Sequence, residues 1–334
     1  LKAKKARIIG TGSYLPTRIL TNHDLEKMVD TSDEWIVTRT GMKERRIAQG
    51  NEFTSNMGIE AAKIALQNAK LAVEEIDLIL FATHTPDFLF PSTACLLQAE
   101  LKAINAAAVD IQAACTGYIY GLSMAKAFVE SGVYRNVLVV ASDKVSSIVN
   151  YKDRNTCVLF GDGASSCIVS QKGKGLFIQD VCLGSDGDKA ELISLPAGGS
   201  RRPASMETIS CEEHFLRMEG KEVFKHAVRR MEAACNECLE RSGLAENQIG
   251  WLIPHQANIR IIEALAKRFQ VPMERVFMTI HKYGNTSASS VGIALHELIH
   301  EHKIAEGDHL LLTAFGAGLT WGAAILSQSG EENV

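Results

Sequence analysis

Two kinds of apolar pattern alternate along the 334-residue chain. Short runs that are apolar at almost every position, among them Leu78-Ile79-Leu80-Phe81-Ala82 and Val137-Leu138-Val139-Val140-Ala141, suit strands buried on both faces. Longer stretches whose apolar residues recur three and four apart suit helices laid against such strands. The pattern predicts strands over 7–10, 78–82, 108–111, 137–141, 164–169, 251–253, 276–278, 310–314 and 322–326. It predicts helices over 55–69, 93–101, 117–131, 220–242, 259–269 and 288–301. Strands and helices alternating in this way make an α/β protein with mixed or mainly parallel sheet.

The order of elements runs through twice. Helix 55–69 followed by Ile76-Asp77-Leu78-Ile79-Leu80 corresponds to helix 220–242 followed by Ile249-Gly250-Trp251-Leu252-Ile253. Strand 108–111 leads to Cys115 and a new helix, as strand 276–278 leads to Asn285 and its helix. The run 136–141 matches 309–314, and each is followed by a loop and a strand opening on Gly-Ala, at Gly163-Ala164 and Gly322-Ala323. Two similar α/β halves are expected: residues 1–175, carrying the cysteine, and residues 216–334, carrying His255 and Asn285. Between them, 176–215 reads as a loop-rich excursion punctuated by Pro196-Ala197-Gly198-Gly199-Ser200-Arg201-Arg202-Pro203. Because α/β sheets bind ligands beyond the carboxyl ends of their strands, matching loops of the two halves converge on one pocket.

Composition narrows the function classes. A chain 46% hydrophobic and 22% charged is a soluble globular protein and excludes disorder. A net charge of -4 and a pI near 6.2 give no general attraction to nucleic acid or anionic membrane, so a phosphate-bearing ligand must meet a local basic patch. No apolar run reaches the roughly 18 residues of a spanning helix, and the first residues pass directly into a strand-like segment. A cytoplasmic location, with no nucleic-acid or membrane partner, is the expectation. The eight cysteines are expected to be reduced and mostly buried. Cys235 and Cys238 have metal or redox spacing, but they fall within the helical pattern of Val228, Met231, Ala234 and Leu239 and lack a second ligand pair. No metal site is predicted.

Chemistry concentrates in the strand-end loops. Cys115, in Gln112-Ala113-Ala114-Cys115-Thr116-Gly117-Tyr118, lies after a strand and at the start of a helix, where exposed amides and the helix dipole favour a thiolate. Elsewhere a cysteine is ordinarily a small buried hydrophobe. His255 ends the strand Trp251-Leu252-Ile253 in Pro254-His255-Gln256-Ala257-Asn258, and among the ten histidines only His84 has a comparable place in the other half. Asn285 sits in Tyr283-Gly284-Asn285-Thr286-Ser287-Ala288, where asparagine also serves simply as a turn or cap residue. The loop Phe315-Gly316-Ala317-Gly318-Leu319-Thr320-Trp321-Gly322 offers close backbone amides, hence a candidate half of an oxyanion hole. Phosphate-loop and dinucleotide fingerprints are absent from the sequence.

The segments around Cys115, 195–203, 218–224, 254–258, 284–287 and 315–322 resemble β-ketoacyl-acyl-carrier-protein synthase III of the thiolase superfamily, and the likeness runs from about Ile8 to Leu326. It implies a thiolase-like fold, two duplicated α/β halves in a layered αβαβα core, and a homodimer. It implies condensation of a short acyl-CoA, typically acetyl-CoA, with malonyl-acyl-carrier protein, with no metal or redox cofactor. Cys115 would carry the acyl group, His255 and Asn285 would support decarboxylation, and the amides of Cys115 and Ala317 would hold the oxyanion. Trp35 and Arg154 would clamp the adenine of CoA, Arg39 would meet phosphate and Asn258 the pantetheine arm. Phe90 matches a residue that a neighbouring subunit supplies to the primer pocket. Arg260, Lys267 and Arg268, seven and eight residues apart along one helix, would dock the acidic carrier protein. Tyr283, Ala317 and Ser166 depart from frequent family residues without removing a catalytic group, and put primer length in question.

The nearest rival is a chain-starting polyketide or alkylquinolone-type synthase, which uses the same cysteine, histidine and asparagine. Relatives that make hydroxymethylglutaryl-CoA need a carboxylic acid near the cysteine, where this chain reads Thr83-His84-Thr85. A cysteine hydrolase fits the duplicated frame poorly, and a non-enzymatic binding protein predicts no acylation at Cys115.

Overall fold

The computed structural model describes residues 5–328. Nine strands form one hydrogen-bonded sheet: β1 (Arg7–Tyr14), β2 (Leu78–Ala82), β3 (Ala107–Ile111), β4 (Asn136–Asp143), β5 (Gly163–Ser170), β6 (Leu176–Ser185), β7 (Ile249–Pro254), β8 (His309–Gly316) and β9 (Thr320–Ser327). Across the sheet their order is β7-β8-β9-β6-β1-β5-β4-β2-β3. Neighbours β2–β3, β2–β4 and β7–β8 are parallel, and the remaining pairs are antiparallel. The seam is thin: β1 and β6 share only the register pairs Arg7↔Phe177 and Ile8↔Leu176.

The order reads symmetrically outward from that seam. β1, β5, β4, β2 in one half answer to β6, β9, β8, β7 in the other. The partner of β3 is reduced to one parallel bridge, Leu252↔Val276. Segment 276–278 is therefore not a full strand. Gln256 Oε1 accepts the amides of Thr279 and Ile280 at 2.9 and 3.1 Å and turns the chain into the short helix Ile280–Tyr283.

A second correction concerns the expected excursion over 176–215. Its first ten residues are β6, the opening strand of the second half and the counterpart of β1. The rest is ordered too. Ile193–Ser194 pairs with Arg217–Met218, and Arg202 is ion-paired with Glu213 and Glu207.

Side chains on alternate residues of each strand enter different layers. Leu78, Leu80, Val137 and Val139 face a central layer with helices α3 (Gly117–Ser131) and α6 (Ser290–Glu301), while Ile79, Phe81, Leu138 and Val140 face the outer helices α1 (Thr54–Ala69) and α2 (Thr93–Leu101). In the other half, Ile253, Leu310 and Leu312 join the central layer, and Leu252, Leu311 and Ile325 face α4 (Gly220–Ser242) and α5 (Ile259–Arg268). The result is the expected αβαβα layering. A strand with helices on both sides must be apolar at every position, and that is why the predicted runs were continuous. Each wholly buried leucine, such as Leu80, contributes about 2 kcal/mol. Among the described residues, no helix is long and apolar enough to cross a membrane.

Candidate active site

Cys115 lies in the short helical turn Ala114–Thr116 between β3 and α3. Two glycines permit its position. Gly316, at the end of β8, packs so closely that a Cβ there would come 2.7 Å from the Cys115 amide nitrogen. A Cβ on Gly117 would meet the Ala82 side chain at 2.7 Å. The loop after β8 is clasped to this turn by two hydroxyls, Thr116 and Thr320, 2.6 Å apart, with Thr320 Oγ1 also 3.1 Å from the Ala113 carbonyl and 3.0 Å from that of Ala317.

His255 and Asn285 are brought to the same cavity, of about 90 Å³, with Cys115, Gly316 and Ala317. The His255 amide donates to the Thr313 carbonyl at 2.8 Å, which fixes the tip of β7 against β8. Its ring Nδ1 lies 2.6 Å from Ser290 Oγ. Ser290 Oγ also accepts the Gln256 amide at 3.4 Å, and we assign its own proton to Nδ1 and the ring hydrogen to Nε2. Burial lowers the His255 pKa to about 4, so the ring is a neutral donor near neutral pH.

Asn285 is held by its backbone to Leu159 and Gly161 at 2.9 and 3.0 Å. Its Oδ1 accepts the Ser287 amide at 2.8 Å, which leaves the amide hydrogens of Nδ2 for the cavity. His255 and Asn285 are thus two fixed, uncharged donors. Both are buried in an apolar wall that includes Met218, Val223, Met231 and Ile261.

The cysteine differs from expectation. Burial pushes the Cys115 thiol up to about 12; the Ser287 hydroxyl, 3.5 Å from Sγ, opposes this, and the Asp143 carboxylate adds to it. The resting group is a thiol. Three further residues that the sequence had not connected surround it. Asp143, buried at the tip of β4, lies 3.0 Å from His84 Nδ1, and His84 Nδ1 lies 3.3 Å from Ser287 Oγ. Ser287 itself holds a φ of +54°, an uncommon conformation for serine. The sequence had placed His84 at a strand tip; nothing in it pointed to Asp143.

The expected coenzyme residues gather in one surface patch. The Arg154 and Arg39 guanidinium carbons lie 5.1 and 5.8 Å from the Trp35 ring centroid. Asn258 caps α5 through Oδ1 and donates from Nδ2 to the Arg39 carbonyl at 3.1 Å. Phe90 is 86% exposed, beside Phe88 and Leu89, so it is no core residue, and it does not line the Cys115 cavity of its own chain. Arg260 and Lys267 are exposed on α5. Arg268 is held by Glu232 and Glu246 at 2.5 and 2.9 Å and so ties α5 to the neighbouring elements. Cys235 and Cys238 are buried in α4. The ligand atoms of Asp180, Cys182 and Cys238 lie within 4.8 Å of one another, but Asp180 is already paired with Arg241 at 2.8 Å.

Comparison with known proteins places the chain in a family. The family model described as 3-oxoacyl-[acyl-carrier-protein] synthase III matches residues 109–187, and its C-terminal companion matches residues 239–328. The chain is 61% identical to a β-ketoacyl-[acyl-carrier-protein] synthase III of Chlamydia caviae, over 98% of both sequences. It superposes on the crystal structure of 3-oxoacyl-[acyl-carrier-protein] synthase III from Aquifex aeolicus with a TM-score of 0.89 at 51% identity, covering 96% of this chain and 99% of that one. The priming β-ketosynthase of the R1128 polyketide pathway is similar at 35% identity, with a TM-score of 0.90 and 98% of each chain covered.

Proposed function

The chain belongs to the 3-oxoacyl-acyl-carrier-protein synthase III family, and on that premise we propose that Cys115 carries the acyl group while His255 and Asn285 hold the enolate oxygen. The protein is an acyltransferase: it joins an acyl-CoA to malonyl-acyl-carrier protein in the condensation that begins fatty-acid synthesis. The observation that carries the residue assignment is the meeting of one thiol and two fixed neutral donors in one apolar cavity.

In the first half-reaction Cys115 sulfur bonds to the acyl carbonyl carbon, the amides of Cys115 and Ala317 receive the oxyanion, and the carbon–sulfur bond to CoA breaks. The proton lost by Cys115 ends on the CoA sulfur. In the second, malonyl-acyl-carrier protein loses CO2, and the electron pair left behind forms an enolate. His255 Nε2–H and Asn285 Nδ2–H donate to its oxygen. Neutral donors in a dry pocket are stronger here than exposed ones, because water does not compete for them. The enolate carbon attacks the acyl-Cys115 carbonyl, and the sulfur leaves and takes up a proton.

CoA lies over Trp35, with Arg154 moved off the ring to cover the adenine, Arg39 on phosphate and Asn258 on the pantetheine arm. The charges and electrons balance without a metal or redox cofactor. The enzyme acts as a homodimer in the cytoplasm: β3 is an unpaired sheet edge next to exposed Phe88, Leu89 and Phe90, and such an edge is covered by a second copy. Phe90 then closes the partner's primer pocket and favours short primers such as acetyl. The 35% likeness to a polyketide priming enzyme is well below the 61% and 51% likenesses to synthase III proteins, and we keep the fatty-acid reading.

His255→Ala and Asn285→Ala should each lower malonyl-acyl-carrier-protein decarboxylation by about a hundredfold or more, the cost of one lost oxyanion donor, while Cys115 still becomes acylated. Radiolabelled CO2 release and intact-protein mass read the two steps separately. Undiminished decarboxylation in both variants contradicts the assignment.

A further inference from the structure

Cys115 raises a question that its two proposed partners, His255 and Asn285, do not answer. Its thiol is protonated at rest, since burial pushes it up to about 12. His255 cannot take that proton: Nδ1 is occupied by Ser290, Nε2 already carries hydrogen, and burial lowers the ring to about 4. Asn285 does not titrate. A base is still missing.

The structure assigns that role to the pair His84–Asp143: His84 accepts the Cys115 proton as the acyl-CoA is attacked and returns it to the departing CoA sulfur. His84 lines the cavity that holds Cys115, and its Nδ1 lies 3.3 Å from Ser287 Oγ, itself 3.5 Å from Cys115 Sγ; this contact anchors the ring beside the thiol, and the proton is taken on the other nitrogen, Nε2. Asp143 Oδ1 lies 3.0 Å from the same Nδ1, so the hydrogen of the neutral ring resides there and Nε2 holds the free lone pair. The two histidines of the duplicated frame therefore stand as opposites, His255 a donor at Nε2 and His84 an acceptor. Environments that drive two like groups apart mark an acid and a base.

Asp143 is built to remain a carboxylate. Its Oδ1 also accepts the Thr83 hydroxyl at 3.0 Å, the His84 amide at 2.9 Å and the Thr85 hydroxyl at 3.1 Å, and its Oδ2 accepts the Ala288 amide at 3.3 Å. Burial alone would raise its pKa, but the His84 charge, the hydrogen bonds from the His84 ring and amide, and the Ser287 side chain hold it low. For His84, burial pulls the pKa down, and the charge of Asp143 and the bond to it overcome this and raise it. The groups facing the ring are Asp143 from the end of β4, Cys115 and Ser287; His255 shares the cavity. Lys144, next in the chain, sends its ammonium instead to the carbonyls of Gln49 and Glu52, at 2.9 and 2.6 Å.

The step balances. Sulfur–carbon bond formation at Cys115 releases one proton to His84, carbon–sulfur cleavage produces CoA thiolate, and His84 delivers the proton to it. The condensation consumes one further proton: after CoA has left, His84 takes one up from water, and it passes this proton to the Cys115 sulfur that leaves. Once His84 holds the proton, Ser287 O–H donates to the sulfur anion, and the imidazolium one hydroxyl away stabilises it.

This inference rests on Cys115 being the acyl carrier, and one experiment separates the two claims. Single-turnover acylation by acetyl-CoA is followed by intact mass from pH 6 to 10 in the unchanged enzyme, His84→Gln and His84→Ala. The unchanged enzyme should rise with pH to a plateau as His84 loses its proton, at a pH above the ordinary histidine value. The variants should be slower at pH 7 by about a hundredfold or more, the usual contribution of a general base. They should then climb about tenfold per pH unit without a plateau, because thiolate must form by simple ionisation. Recovery at high pH also shows that the variants are folded. Equal rates with the plateau retained in the variants would overturn the role of His84, as would a loss of the same factor at every pH, which is the mark of a structural role. Absence of any acyl adduct on the unchanged enzyme would instead overturn the functional reading on which it rests.

Discussion

Ser290 shows how one hydroxyl can set what a catalytic ring is able to do. It takes the Gln256 amide hydrogen and gives its own to His255 Nδ1, so the ring can only donate from Nε2. Ser290→Ala frees the ring to adopt the other tautomer, and decarboxylation should fall by roughly tenfold, the worth of one directed hydrogen bond, while acylation of Cys115 is preserved. In the unchanged enzyme, decarboxylation should stay flat as pH falls through 6.5 and drop only towards about 4, since the pKa is lowered and protonation removes the neutral ring only there. A drop centred at 6.5 would mean that His255 is solvated. Cys115 and His255 stood out in the sequence because each follows an apolar strand in a repeated frame, and Asn285 because the apolar run 276–278 occupies the matching place, although it is not a full strand. Ser287, Ser290 and Asp143 were not. Their roles are hydrogen bonds between segments 35 to 203 residues apart, and no local pattern announces them. His84 was visible at its strand tip, but its state depends on Asp143, 59 residues later.

At the scale of elements, the continuous apolar runs gave true strands because those strands lie between two helical layers. β6 escaped because its pattern is mixed: Leu176, Phe177 and Ile178 are buried, but Gln179 and Asp180 follow, and the strand is neither continuously apolar nor regularly alternating. Segment 276–278 misled for the opposite reason: it is an apolar run, but it makes one bridge to Leu252 before Gln256 captures the amides of Thr279 and Ile280 just beyond it. Helix α5 carries the exposed Arg260 and Lys267, proposed to dock the carrier protein, and the ion-paired Arg268. Reversing Arg260 and Lys267 to glutamate should raise KM for malonyl-acyl-carrier protein several-fold at low salt and leave acylation by CoA unchanged, because these exposed charges steer an acidic partner. Arg268→Glu should instead lower thermal stability, placing a third carboxylate beside Glu232 and Glu246. Equal loss of both half-reactions in the Arg260/Lys267 variant would contradict a docking role.

Over the whole molecule, duplication explains why the site lies where it does. Each half brings strand tips to the same end of the sheet, and the halves meet over a central layer of two helices, α3 and α6, one from each half. α3 begins just after Cys115 and α6 shortly after Asn285, so packing those helices together also sets the distance between Cys115 and Asn285. The repeat and the meeting of loops could be read from sequence order and the layering from the family resemblance; the seam between β1 and β6, two register pairs wide, could not, because it is a long-range pairing without a local signature. The account as a whole turns on Cys115 as the carrier of an acyl group that is then passed on. The most direct measurement is a chase: enzyme incubated with acetyl-CoA, freed of excess CoA, peptide-mapped by mass spectrometry, then mixed with malonyl-acyl-carrier protein. An acetyl group on the Cys115 peptide that disappears as acetoacetyl-carrier protein forms, with no adduct in Cys115→Ser, is the predicted result. Product formed at the normal rate by Cys115→Ser, or an acetyl adduct that malonyl-carrier protein cannot discharge, would contradict it.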